Sequence, residues 1–231
     1  MSRHFSDNKK EKKPLVITMV RNPIERLNSE YNYLRNSART VAHQREVINT
    51  MGNQSLATCA KSSTCVEVNS LRRMCSTQAL YICGDHNDCL DISKKDKIIS
   101  RAKKNIDEEF LLIGLVEKIG ETMGLLEKIA PTYFQYAGEV FELVEQTRGG
   151  GPETTNHNDK DFRSPNTYAT NTSPEYEKPP SGDRDLEEIC EIDMAVYAYA
   201  KEKFESKLAS CKNELLTALP TVIVEEYCDR E

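Results

Sequence analysis

The chain has 231 residues, 38% of them hydrophobic and none of them tryptophan, which is enough apolar material for one core and leads to the expectation of a single domain over 1–231. No stretch approaches the ~20 apolar residues of a membrane span, and the opening MSRHFSDNKKEKK is no signal peptide, so taken literally the chain is soluble and cytosolic. The net charge of −6 hides a split: residues 1–105 hold 19 Lys/Arg against 10 Asp/Glu, and residues 106–231 hold 12 against 27. A basic first half suits a polyanionic partner, although Lys9–Lys13 and Lys94–Lys104 read equally as solvated charge runs. Aromatic residues are not interleaved with them, so nucleic acid is not favoured.

Residues 1–14 are polar and irregular. Leu15–Val20 is a short apolar β-branched run, read as a buried strand. Arg21 follows at its C-terminal end. Asn22 is then placed as an N-cap, Pro23 at the first helical position and Glu25 three residues after the cap, completing an Asn-x-x-Glu capping box. A strand that turns directly into a capped helix aims backbone N–H groups and a partial positive charge at one edge. With Arg21 beside it, this edge is a seat for phosphate or sulfate. On the helix, Ile24, Leu27, Tyr31 and Leu34 share the core stripe, while Asn22, Arg26, Ser29 and Tyr33 share the opposite side. That second face reads either as part of the anion site or as plain solvated surface.

The segment Val-Arg-Asn-Pro-Ile-Glu-Arg, followed by Ser29, Tyr31 and Leu34-Arg35, resembles the second nucleotide-binding motif of the Golgi carbohydrate sulfotransferases, closest to the uronosyl 2-O-sulfotransferases. The family motif has Asp where this chain has Asn22; either residue caps a helix, and a negative charge beside the arginine is lost. The resemblance implies that Arg21 and Ser29 hold the 3′-phosphate of the donor, 3′-phosphoadenosine 5′-phosphosulfate, with no metal. It also implies a histidine base upstream of the strand, for which His4 is the candidate. The family's Gly/Ser/Thr/Lys phosphate loop has no counterpart here. The implied fold is therefore α/β, a three-layer sulfotransferase core of the P-loop-NTPase type that lacks its first β-loop-α unit.

Residues 37–58 are polar, and Asn53-Gln-Ser is a glycosylation sequon. Five of the eight cysteines follow at 59, 65, 75, 83 and 89, with no C-x-x-C spacing to favour structural zinc. A disulfide closing the polar loop Cys83–Cys89 is worth roughly 2–3 kcal/mol in loop entropy. Free buried thiols of a cytosolic protein are the competing reading. The loop resembles the family's Cys-Gly-x4-Cys element, and Cys65/Cys75 resembles the pair that precedes it, which leaves Cys59 over. His86, within the loop, reads as a surface residue.

Residues 93–106 form a basic amphipathic helix, and Phe110–Val116 is a second strand fit for a sheet covered on both faces. A helix over Glu117–Ile129 follows, with Ile119, Met123, Leu126 and Ile129 on its core side and Pro131 as its stop. The order Ala102, Asn105, Phe110, Gly114, Leu115, Glu117, Leu125–Glu127 and Pro131-x-x-Phe134 again resembles the sulfotransferases; as chemistry, the segment reads as core alone. Residues 145–184 are a Gly/Pro/Asn/Ser-rich linker carrying a second sequon at Asn171. The family closes a loop over the nucleotide here, which makes Arg163 and Ser164 candidates. Residues 186–211 read as one helix with Leu186, Ile189, Asp193, Val196, Ala200, Phe204 and Leu208 in phase, Asp193 being a structural hydrogen-bonding residue. Cys190 and Cys211, about 31 Å apart along such a helix, cannot pair with each other, and Cys228 is open to either. The segments are thus 14–144 for the nucleotide-site core and cysteine region, 145–184 for the loop and 185–231 for the C-terminal helix.

The implied reaction moves a sulfuryl group to the 2-hydroxyl of a uronic acid in a heparan- or dermatan-type glycosaminoglycan. Family members are type II membrane proteins of the Golgi lumen and can form trimers. Two alternatives stand beside this: an inactive truncated homologue, and a non-enzymatic lumenal domain that binds sulfated glycans.

Overall fold

The computed structural model describes residues 15–37, 54–68, 70–149 and 184–217. His4, Asn53, Arg163, Ser164, Asn171 and Cys228 lie outside the described residues. Strand β1 (Val16–Val20) and strand β2 (Phe110–Leu115) form a parallel pair, from Val16 opposite Phe110 to Val20 opposite Leu115, with an irregularity after Val16. Both strands lie where the apolar runs placed them. The described architecture is helix-rich with a small parallel sheet, compatible with an α/β fold.

Between the strands come α1 (Pro23–Ser37), α2 (Leu56–Ala60), α3 (Ser63–Val68), α4 (Leu71–Met74), α5 (Thr77–Cys83) and α6 (Lys95–Glu108). After β2 a 3-10 turn (Val116–Lys118) leads into α7 (Ile119–Ile129), α8 (Pro131–Phe134) and α9 (Ala137–Gly149); α10 (Arg184–Ile189) and α11 (Glu191–Thr217) complete the described chain. No described helix is long and apolar enough to cross a membrane.

Two apolar clusters organise these elements. The first surrounds β2: α6, α7 and α11 all touch the strand, burying Leu112, Ile113 and Leu115 with Ile98, Val196 and Phe204. Gly114 is required there, because a Cβ would overlap Cγ2 of the fully buried Thr122 on α7. The second surrounds α1 and buries Leu27 and Tyr31 against Leu56, Leu71, Leu186 and Ile189. Ile24 packs on its margin, as the helical stripe predicts.

Three helical expectations need correction. The C-terminal segment is two helices rather than one, interrupted at Cys190 by a turn. On α7 the fully buried side chains are Thr122, Leu125 and Leu126, while Ile119, Met123 and Ile129 are half-buried. Helix α9 also packs on α7, meeting it at Gly120 and Gly124. Helix α9 itself runs into the stretch read as linker from residue 145, and its exposed Val140 and Leu143 gave it no readable core face.

The cysteines form disulfides Cys59–Cys65, Cys75–Cys190 and Cys83–Cys89; Cys211 is also disulfide-bonded, and no described cysteine is free. The Cys83–Cys89 closure matches expectation, with Gly84 at φ 90° making the turn that lets the chain leave α5. The Cys65/Cys75 pairing does not hold, and Cys59 is not left over. Cys65 closes a local loop with Cys59, and Cys75 reaches 115 residues onward to the α10–α11 turn. That turn is where the predicted helix breaks, and it holds Cys190 against Cys75 at the α4–α5 junction.

Candidate functional site

The C-terminal ends of parallel strands are where an open α/β sheet places its ligand-binding turns. Here that edge carries Arg21 and Asn22 after β1, and Glu117 in the turn after β2. Asn22 caps α1 as expected: its Oδ1 accepts from the backbone N–H of Ile24 at 3.0 Å and of Glu25 at 3.2 Å. The reciprocal half of the box is different. Glu117 Oε1, not Glu25, accepts the Asn22 N–H, while the Glu25 carboxylate lies 3.8 Å from Arg21 Nη2. Tyr197 of α11 hydrogen-bonds Glu117, and burial together with that carboxylate pushes the phenol up to about 12.

These contacts change the anion seat. The N–H of Arg21 goes to Gln78, that of Asn22 to Glu117, those of Ile24 and Glu25 to Asn22, and Pro23 has none. The helix terminus is therefore closed by the protein's own oxygens instead of presenting bare N–H groups to a ligand. What remains for an anion is side-chain chemistry. The Arg21 side chain is a quarter exposed and, among the described residues, has only the long Glu25 contact. The Ser29 hydroxyl is half-buried and makes no hydrogen bond to a described residue.

Arg26 belongs to neither reading of its face. Its Nη1 bonds Glu30 Oε2 at 2.7 Å, and its Nη2 donates to the Met74 carbonyl and lies 3.5 Å from Asp193 Oδ2. Fully buried Asp193 in turn accepts the N–H of Ala79 on Oδ1 at 2.7 Å and that of Gln78 on Oδ2 at 3.3 Å. It thus caps α5 from another element, where the helix's own Ser76 makes no side-chain cap. Burial raises the Asp193 carboxyl to about 6 against the opposing pull of the two N–H groups and Arg26. Tyr33 alone on that face is plainly exposed.

Gln78 escaped the sequence reading, and Glu117 was placed only as the start of a helix and as part of the resembling order, not as a partner of Asn22. Glu117 had a usable signal: it follows the second parallel strand closely, as Arg21 follows the first, and adjacent parallel strands end side by side. Gln78 had none. The basic α6 face is also less free than its charge suggests: Lys94 and Lys97 contact Asp88 at 3.3 and 3.6 Å, Lys95 contacts Glu191 at 3.0 Å and Lys104 contacts Glu108 at 3.8 Å. The Lys94 hydrogen bond, with Lys97 adding to it, holds the Asp88 carboxyl below its ordinary range. His86 is exposed and caps the turn Asn87–Cys89 through Nδ1.

No family model matches the chain. Human uronyl 2-sulfotransferase is 27% identical over 147 residues, 62% of this chain and 35% of the relative. Heparan sulfate 2-O-sulfotransferase 1 of Gallus gallus is 28% identical over 139 residues, 59% of this chain and 37% of the relative. The human form of that enzyme is 25% identical over 144 residues, again 59% and 37%. The aligned part is thus 35–37% of each of these relatives' own length.

Proposed function

From its kinship with the uronyl and heparan sulfate 2-O-sulfotransferases, we infer that this chain carries the 3′-phosphate site of a glycosaminoglycan sulfotransferase. The observation that carries the reading is Arg21 at the parallel sheet's C-terminal edge, only loosely paired among described residues, with Ser29 further along α1 and unpartnered among described residues. Arg21 supplies a planar, permanently charged fork suited to a phosphate, and Ser29 a hydroxyl donor. Arg26, held by Glu30, Met74 and Asp193, is a fold residue and takes no part in the site.

The finer reading is a three-layer sulfotransferase core acting on the 2-hydroxyl of a uronic acid, with 3′-phosphoadenosine 5′-phosphosulfate as the sulfuryl source. His4 is the proposed acceptor of the hydroxyl proton, and Arg163 and Ser164 further nucleotide contacts. Three disulfides between described cysteines support an oxidising compartment, and with it the Golgi lumen. A purely electrostatic glycan-binding domain is supported less well, because Lys94, Lys95, Lys97 and Lys104 are already in ion pairs.

Calorimetric titration with adenosine 3′,5′-bisphosphate tests the reading. Arg21→Ala is expected to weaken binding at least tenfold, about the worth of one charge-assisted hydrogen bond. Unchanged affinity in that variant would remove Arg21 from the site and the reading with it.

A further inference from the structure

We propose that Gln78 is the positioning residue of this anion site, acting through the main chain of Arg21. The inference rests on the reading of Arg21 as the phosphate ligand. Arg21 lies between the last residue of β1 and the cap of α1, so neither the strand ladder nor the helix fixes its peptide groups. One side chain does so from both sides: Gln78 Oε1 accepts the Arg21 N–H at 2.8 Å, and Gln78 Nε2 donates to the Arg21 carbonyl at 2.9 Å.

The primary amide is the group that can do this, since it offers an acceptor and a donor side by side. Two parallel bonds to one residue set the direction in which its Cα–Cβ bond leaves the backbone. For an arginine whose fork must meet a phosphate in plane, that direction decides whether two N–H groups or one reach the oxygens.

The clamp is mounted on something firm. Gln78 is the second residue of α5, and its own N–H and that of Ala79 end on the buried carboxylate of Asp193. Asp193 belongs to α11, the helix packed along β2 and α6. The position of Arg21 is therefore set from α11 through α5, and not by its own strand alone.

A double-mutant cycle decides this, with adenosine 3′,5′-bisphosphate as the titrant and Gln78→Met as the variant that keeps side-chain length without the amide. In the Arg21 protein, Gln78→Met is expected to weaken binding about tenfold, the net worth of roughly two neutral hydrogen bonds. In the Arg21→Ala background the same change is expected to add nothing. Gln78→Leu, with the same two bonds removed and less bulk, repeats the cycle. Equal losses in both backgrounds, or no loss in either, overturn the positioning role while Arg21 keeps its place. If Arg21→Ala alone changes nothing, the site reading falls first and the inference falls with it.

Discussion

Around β2 the chain buries Leu112, Ile113, Leu115, Val196 and Phe204 on elements long enough to present continuous apolar faces. Around α1 it buries Leu27, Tyr31, Leu56 and Leu71, but α2, α3 and α4 are only five, six and four residues long. Helices that short do not hold themselves in water. Covalent links take up the difference: Cys59–Cys65 joins α2 to α3, and Cys75–Cys190 ties the α4–α5 junction to the α10–α11 turn. Both regions bury apolar side chains and both carry disulfides, but only in the second does a disulfide tie short helices to an element 115 residues away. The proposed anion site lies on the seam, since Arg21 follows a strand of the first region and precedes a helix of the second.

The sharpest way to break the contrast is to remove the long-range disulfide. Cys75→Ser with Cys190→Ser opens a link spanning 115 residues, and the chain-entropy argument gives a loss of about 5 kcal/mol. Hydrogen exchange is expected to show the loss first in α1 through α4, with α6 and β2 still protected; uniform loss would make the two regions one cooperative unit. Phe204→Ala strikes the other region. Removing a fully buried ring costs about 4 kcal/mol by cavity formation, and urea unfolding is expected to show protection falling in β2 and α6 together.

The smallest effect of the three sharpens the link between the regions. The Asp193 carboxyl titrates near 6 in the folded protein, above its ordinary 3.8. Its contribution to stability is therefore fully present below pH 3.8 and lost as pH rises through 6, a swing of about 3 kcal/mol. Asp193→Asn removes that titration. The stability of the wild type relative to the variant is expected to fall between pH 4 and 7, and parallel pH profiles for the two proteins would refute the assignment.

Legibility in the sequence followed distance along the chain. Val16–Val20 and Phe110–Leu115 were readable as strands because a run of β-branched and aliphatic residues has few other ways to be buried. The Asn22–Pro23 start of α1 was readable because capping is a contact between residues two and three apart. Closure of Cys83–Cys89 was readable for the same reason, the two being six residues apart. The Asn-x-x-Glu box shows where this stops: Asn22 played its part, but its N–H went to Glu117, 95 residues on. Arg26 had two plausible fates in a helical projection and met a third, because Asp193 and the Met74 carbonyl reach it from elsewhere in the fold.

The sequence by itself determined the strands, the capped entry to α1, and the arginine that follows β1 at the sheet edge. Tertiary structure alone decided which groups are free to act. Gln78 fixes Arg21 across 57 residues, Glu117 closes the helix terminus across 95, and Cys75 finds Cys190 across 115. The reason is physical: local patterning sets the conformation of a few neighbouring residues, whereas the partner of a buried donor, charge or thiol is whichever group packing brings within 3–4 Å of it.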